Sequence, residues 1–332
     1  MSTWRASTRR LYDRWMKPTP PSPAASSPSS PSLPGSLPAA AESPAAVLPD
    51  AVRTVGDVAG VARAGQRHEV PCGDGVMVWH SWGADGGAPI VLLHGGSGSW
   101  NHWVRNIAAL VRAGRRVWLP DLPGFGDSAR PPGGGDADAV PAPLQGALQS
   151  LLGDAPVDLV GFSFGGMVAT LLAAQWRPRV RRLVLVGAPA LGIKPPRPVA
   201  LRPWSHLEPG EELDAVQRSN LRTLMLAKAE SADDLALAIH AVNLRRDRMK
   251  LRRLSRTDIL RRTLPQIACP VYGIWGAEDA LYRGVQEQLE PALRQAPQFR
   301  ELRFIADAGH WVQFEDAAAF DRVLAGMLAA AA

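Results

Sequence analysis

From about residue 66 the chain alternates short β-branched or aliphatic runs with stretches whose apolar positions recur at helical spacing. That rhythm predicts an α/β fold: a mostly parallel sheet whose strands are joined by crossover helices. Strands are expected at 76–82, 90–94, 116–119, 157–162, 183–187, 271–275 and 302–305, and helices near 103–113, 144–152, 166–175, 285–293 and 317–330. Between residues 187 and 271 the rhythm breaks, and helical patterns continue without a strand. Residues 191–262 therefore read as a helical cap inserted into a core formed by residues 66–190 and 263–332.

Upstream the pattern is absent. Residues 18–49 hold 10 Pro, 8 Ser and 7 Ala with Glu42 as the single charge, a composition that cannot bury a core. Residues 18–65 are accordingly expected as a disordered linker and lead-in. In residues 1–17, Trp4, Leu11, Tyr12 and Trp15 share one helical face among Arg5, Arg9, Arg10, Arg14 and Lys17. Such a basic amphipathic segment fits weak contact with an anionic membrane surface, an Arg-rich targeting segment, or a plain fraying terminus.

Composition narrows the picture further. With 332 residues, 46% of them hydrophobic, one large α/β core can be buried. The two cysteines, Cys72 and Cys269, offer neither a disulfide framework nor metal-site spacing. A reducing, cytoplasmic location and the absence of metal and cofactor are the expectation. No apolar run reaches the roughly 18 residues that cross a bilayer, and the first residues lack the apolar stretch of a secretory signal; a soluble protein is expected.

The net charge of +6 is uneven, since residues 191–262 hold 15 basic against 9 acidic residues. Basicity concentrated in the cap argues for a local role there and against a nucleic-acid face, leaving a small molecule as the expected partner. The densest run is Arg245, Arg246, Arg248, Lys250, Arg252, Arg253, Arg256, Arg261 and Arg262. At helical spacing most of these make a solvated face; any that turn into the cleft would favour a carboxylate-bearing substrate.

The apolar strand at 157–162 runs directly into Gly161-Phe162-Ser163-Phe164-Gly165 and then a helical stretch. Strand, G-x-S-x-G and helix together make a nucleophile elbow, in which flanking glycines remove Cβ atoms that would clash in a tight turn. A serine alcohol needs a base and an acid to orient it, expected in the chain order Ser, acid, His. His310 alone of the seven histidines follows the last expected strand, in Asp307-Ala308-Gly309-His310-Trp311. The acid is expected after the strand at 271–275, where Glu278 and Asp279 both stand; Asp279 is preferred for its shorter side chain at the far end of the turn.

An oxyanion requires two fixed N–H donors. One is expected from Phe164, directly after the nucleophile. The other is expected from the loop His94-Gly95-Gly96-Ser97-Gly98, with Gly96 as donor and Ser97 as neighbour and second contact. Trp100, His102 and Trp103 follow that loop and are expected in the cleft wall together with Trp311. Leu224, Met225, Leu235, Leu237, Ile239 and Met249 are the apolar cap residues available to line an acyl pocket or to pack the cap on the core.

Taken together, these residues resemble the α/β-hydrolase superfamily over roughly residues 66–332. The resemblance rests on His94-Gly95-Gly96, on Pro120-Asp121-Leu122-Pro123-Gly124-Phe125-Gly126-Asp127-Ser128, on the Gly161 to Gly165 elbow, on Gly276-Ala277-Glu278-Asp279 and on Gly309-His310. It implies structural roles for Asp121 and Asp127. Family members with an aspartate nucleophile, such as haloalkane dehalogenases and epoxide hydrolases, are disfavoured by Ser163. The tail Gly309-His310-Trp311-Val312-Gln313-Phe314-Glu315, followed by Phe320-Asp321-Arg322, is similar to that of meta-cleavage C–C hydrolases. Their Arg-Trp pair in the cap is missing, with Arg222-Thr223 near its place. The expectation is thus a serine hydrolase that cleaves a small carboxylic ester or related carbonyl substrate through an acyl-enzyme, with C–C hydrolysis, acyl transfer and, last, a noncatalytic binding role as alternatives.

Overall fold

The computed structural model describes residues 48–49, 51–249 and 251–330. The expectations for residues 1–17, for most of the 18–65 lead-in and for Lys250 lie outside the described residues.

The described part of the lead-in departs from the expectation. Residues Val55–Ala64 form helix α1, started by a capping box in which Thr54 Oγ1 accepts from Asp57 N–H at 3.2 Å and Asp57 Oδ2 accepts from Thr54 N–H at 2.8 Å. Val58 and Val61, three apart, bury one face, and Trp82 Nε1 donates to Val61 O at 2.8 Å. A short apolar stripe and a cap suffice for order because the sheet supplies the surface to pack on.

Eight strands follow: β1 Gln66–Cys72, β2 Gly75–Trp82, β3 Ala88–Leu93, β4 Arg115–Pro120, β5 Val157–Phe162, β6 Val180–Val186, β7 Val271–Gly276 and β8 Phe299–Ile305. They form one sheet in the order β1-β2-β4-β3-β5-β6-β7-β8. β2 pairs antiparallel with β1 and β4, and all other neighbours are parallel. The seven strands expected from the pattern are present. β1 is an addition: it buries only Val70 and Cys72, too little alternation to stand out, and is held at the edge by its hairpin with β2. β5 is buried along its whole length, as a central parallel strand covered on both faces must be.

Helices α2 Ile107–Arg112, α3 Pro141–Leu152 and α4 Phe164–Gln175 cover the sheet, with α8 Leu289–Leu293, α9 Val312–Glu315 and α10 Ala317–Ala329 near the C-terminus. The helix expected at 103–113 is split into a 3-10 turn, Trp100–Trp103, and α2. Asn106 accounts for the break, because its side chain donates to Gln313 O at 3.1 Å and to Asp321 Oδ1 at 2.8 Å, tying the turn to the C-terminal helices instead of continuing a helix.

Between β6 and β7 lies the insertion: α5 Glu211–Asn220, a π turn Leu221–Met225, α6 Asp234–Arg245 and α7 Ile259–Thr263. No strand occurs there among the described residues. Helix α7 straddles the boundary expected at 262/263, and Leu260, Leu264 and Ile267 join the main hydrophobic core. No helix among the described residues is long and apolar enough to cross a membrane.

Burial of Asp321 on α10 is expected to make stability pH-dependent. Asp321 is pushed up to about 7, chiefly by burial, with Asn106 as its hydrogen-bond donor opposing the shift. The protonated form is therefore the one the fold prefers: its contribution is full below the ordinary value of 3.8 and is lost as pH rises through about 7. Asp321→Asn is expected to raise the melting temperature at pH 8 and to flatten its fall between pH 4 and 8, read by thermal melts of both proteins across that range.

Candidate functional site

Strand β5 ends at Phe162, and the chain turns directly into α4, leaving Ser163 at φ 50° and ψ −116°. This left-handed backbone is strained for a residue with a Cβ, and it is tolerated because its neighbours give way. A Cβ on Gly165 would lie 2.6 Å from His94 O, and one on Gly166 would lie 2.6 Å from Ala188 Cβ. Ser163 N–H donates to Val186 O at 2.8 Å, so the adjacent strand holds the turn.

The structure brings the three expected polar residues together. Ser163 Oγ lies 3.0 Å from His310 Nε2, and His310 Nδ1 lies 2.8 Å from Asp279 Oδ2. A carboxylate only accepts, so Nδ1 carries the proton and Nε2 is left to accept from the serine hydroxyl. Asp279 is fully buried, and its other oxygen accepts from Leu281 N–H at 2.9 Å. Glu278, the alternative acid, faces outward and pairs with Arg283 at 3.3 Å. Phe162 packs against the His310 ring with centroids 5.0 Å apart.

Gly187 and Glu315 complete the support and were not singled out from the sequence. Gly187 sits at φ +52°, and a Cβ there would lie 3.1 Å from His310 Nδ1 and 3.3 Å from Asp279 Oδ2. Its only signal was its place at the end of a strand. Gly187→Ala is expected to lower turnover about 100-fold by displacing the imidazole, with circular dichroism little changed. Glu315 accepts from Gly309 N–H at 2.6 Å, Lys228 N–H at 2.8 Å and Ala227 N–H at 3.0 Å. It thereby ties the histidine loop to the insertion.

The loop after β3 is fixed just as firmly. His94 is buried, and its Nδ1 donates to Gly95 O while its Nε2 accepts from Leu122 N–H at 2.9 Å; burial pushes its basicity down, consistent with the neutral ring these bonds require. Asp121 accepts from Ser99 Oγ at 2.6 Å, Trp100 N–H at 3.0 Å and Asp127 N–H at 2.8 Å. Ser97, at φ 49°, donates to Asp247 Oδ2 at 2.6 Å and accepts from Arg252 Nη2 at 3.2 Å. Asp247 and Arg252 pair at 2.9 Å, so the insertion grips the loop that carries Gly96. The N–H of Phe164, first in α4, has no acceptor within its own helix by position, and the helix dipole adds positive potential there.

A cavity of about 890 Å³ opens on Ser163 and His310, and Gly96, Ser97, Phe164, His102 and Met225 line it. Trp100, Trp103 and Trp311 do not, which corrects the expectation for all three. Trp100 and Trp103 are three apart on a 3-10 turn and fall on one side of it, away from residue 102. Trp100 lies tilted against Trp82 with centroids 5.5 Å apart, and Trp103 lies 5.8 Å from Phe320. Trp311 stacks on Phe314 at 4.1 Å and donates from Nε1 to His102 O at 3.0 Å. His102 and His240 both line the cavity; burial holds His240 down at about 4 and His102 well below its ordinary value, so both rings are neutral at pH 7.

The basic run is not one solvated face. Arg246 pairs with Asp127 at 3.0 Å and Arg262 with Asp258 at 2.9 Å. Arg248 is turned onto the loop that follows β4, donating to Phe125 O, Gly126 O and Ser128 O. Arg252 and Arg256 reach the cavity. Of the apolar candidates between β6 and β7, Leu224 and Met225 line the cavity, whereas Met249 packs into the core beside Gly124. Among the described residues no three of His, Cys, Asp and Glu gather as metal ligands would.

Comparison with known proteins gives the fold family. Residues 88–317 match the family model described as the alpha/beta hydrolase fold. A 2-hydroxy-6-oxononadienedioate/2-hydroxy-6-oxononatrienedioate hydrolase of Klebsiella pneumoniae is 30% identical over 74% of this chain and 89% of its own length. A dihydrolipoyllysine-residue acetyltransferase component of an acetoin cleaving system from Pseudomonas putida is 31% identical over 76% of this chain and 66% of its own. Among solved structures, a putative aryl esterase from Burkholderia cenocepacia superposes with a TM-score of 0.61 at 24% identity, covering 79% of this chain and 98% of that one.

Proposed function

Because the chain belongs to the α/β-hydrolase family, we propose that it is a serine hydrolase that cleaves a carboxylic ester through an acyl-enzyme. The observation that carries this reading is the unbroken relay Ser163–His310–Asp279, with hydrogen bonds of 3.0 and 2.8 Å, opening on a cavity of about 890 Å³. His310 Nε2 takes the hydroxyl proton as Ser163 Oγ attacks the ester carbonyl. Asp279 holds the imidazole in the tautomer that leaves Nε2 free and balances the imidazolium. The tetrahedral oxyanion is received by the N–H groups of Phe164 and Gly96, with Ser97 beside them; losing one such donor costs about 3 kcal/mol of barrier. His310 then gives its proton to the leaving alcohol. A water molecule, deprotonated by the same nitrogen, releases the acid and regenerates Ser163. The strained turn at Ser163 serves this chemistry by holding the hydroxyl clear of the helix.

A second reading comes from the Klebsiella relative, named as the hydrolase of a 2-hydroxy-6-oxo dienedioate. The same relay could serve hydrolytic C–C cleavage next to a ketone. Fluorophosphonate labelling with peptide mapping tests the serine: the label is expected on Ser163, and a folded protein that stays unlabelled overturns the hydrolase reading. A panel of p-nitrophenyl esters, with and without alcohol or thiol acceptors, then reads ester hydrolysis against acyl transfer. A 2-hydroxy-6-oxo dienoate in the same panel reads C–C cleavage.

A further inference from the structure

The cavity lining is electrostatically one-sided. Lys194, Arg252 and Arg256 all contribute to it, and among the described residues no Asp or Glu does. Arg252 is balanced by Asp247 behind it. Lys194 and Arg256 have no ion-pair partner among the described residues. The nearby carboxylate of Asp258, whose Cβ lies 3.2 Å from where a Cβ on Gly192 would stand, is engaged by Arg262 at 2.9 Å. Lys194 and Arg256 come from two different segments that the fold clasps together, since Leu260 N–H donates to Ala190 O at 3.0 Å. Much of the remaining wall is apolar, including Phe164, Leu224, Met225 and Leu244.

From this we infer that the cavity is a subsite for an anionic group, and that the substrate is an ester bearing a carboxylate several atoms away from the scissile carbonyl. The inference deepens the serine-hydrolase reading and, as a statement about substrate, rests on it. Two cations that no carboxylate among the described residues pairs with raise the local concentration of anions, and a guanidinium offers a carboxylate paired N–H donors where an ammonium offers a point charge. A cavity of about 890 Å³ has room for such a chain beyond the ester. An apolar wall alone would instead penalise the same anion for losing its water.

The test uses two unreactive amides of equal chain length, adipic acid monoanilide and hexananilide, titrated into the full chain by calorimetry. The acid is expected to bind about tenfold tighter at low salt. That preference is expected to collapse in 1 M sodium chloride, where screening acts within about 3 Å, and in the double variant Lys194→Gln/Arg256→Gln. Equal binding of the two amides, or a preference that survives in the double variant, overturns the subsite. Turnover of mono-p-nitrophenyl adipate against p-nitrophenyl hexanoate reads the chemistry separately. A binding preference with neither ester cleaved leaves the subsite standing and removes the hydrolase reading.

Discussion

Ser163→Ala is expected to lower kcat on p-nitrophenyl esters by about 10⁶-fold while leaving the melting temperature nearly unchanged. The large loss follows from the proposed route, in which every bond change at the carbonyl passes through Oγ. Alanine keeps the Cβ, so the left-handed turn at φ 50° and its N–H bond to Val186 O persist and the fold has no reason to relax. A residual rate about 10³ above water is expected from the backbone donors and binding alone. Retention of more than a hundredth of wild-type activity in purified, folded variant would place the nucleophile elsewhere. Fluorophosphonate labelling of the same sample gives an independent reading, since the variant should not label.

Asp279→Asn is expected to lower kcat by about 10⁴-fold with intact secondary structure. An amide facing Nδ1 can donate to it, which favours the tautomer whose proton sits on Nε2, the atom that must accept from Ser163. The loss is thus one of proton placement, and it should carry a changed pH profile in addition to a lower maximum. Glu278→Gln, in contrast, is expected within a few fold of wild type, because Glu278 is partly exposed and pairs with Arg283 at 3.3 Å, away from the imidazole. If the two variants exchanged these phenotypes, the acid would be Glu278, and the geometry at 2.8 Å from His310 would have to rearrange during turnover.

The residues most legible in the sequence were those whose signal is local. The elbow around Ser163 is legible because a buried strand, a tight glycine-flanked turn and a helix each leave a contiguous signature. His310 and the Glu278/Asp279 pair followed from chain order after the last core strands. Helix α1 was read as lead-in because 10 residues with two buried valines make a weak periodic signal, and β1, inside the expected core, was not read as a strand because an edge strand need not alternate. The three tryptophans were assigned to the cleft by their nearness in sequence to functional loops, but side-chain direction on a 3-10 turn is set by its local geometry and its neighbours.

What the sequence by itself determined was the class of the sheet, the strand-free stretch between β6 and β7 and Ser163 as the candidate nucleophile, since each leaves its signal in residues close along the chain. Tertiary structure decided the rest. It selected Asp279 over Glu278 by burying one and exposing the other, and placed Gly187 where any side chain would meet His310 and Asp279. It also turned Arg252 onto Ser97 and left Lys194 and Arg256 in one cavity wall. Those relations join residues about 30 to 150 positions apart, and burial, charge pairing and steric exclusion at such separations arise only when the chain has closed on itself.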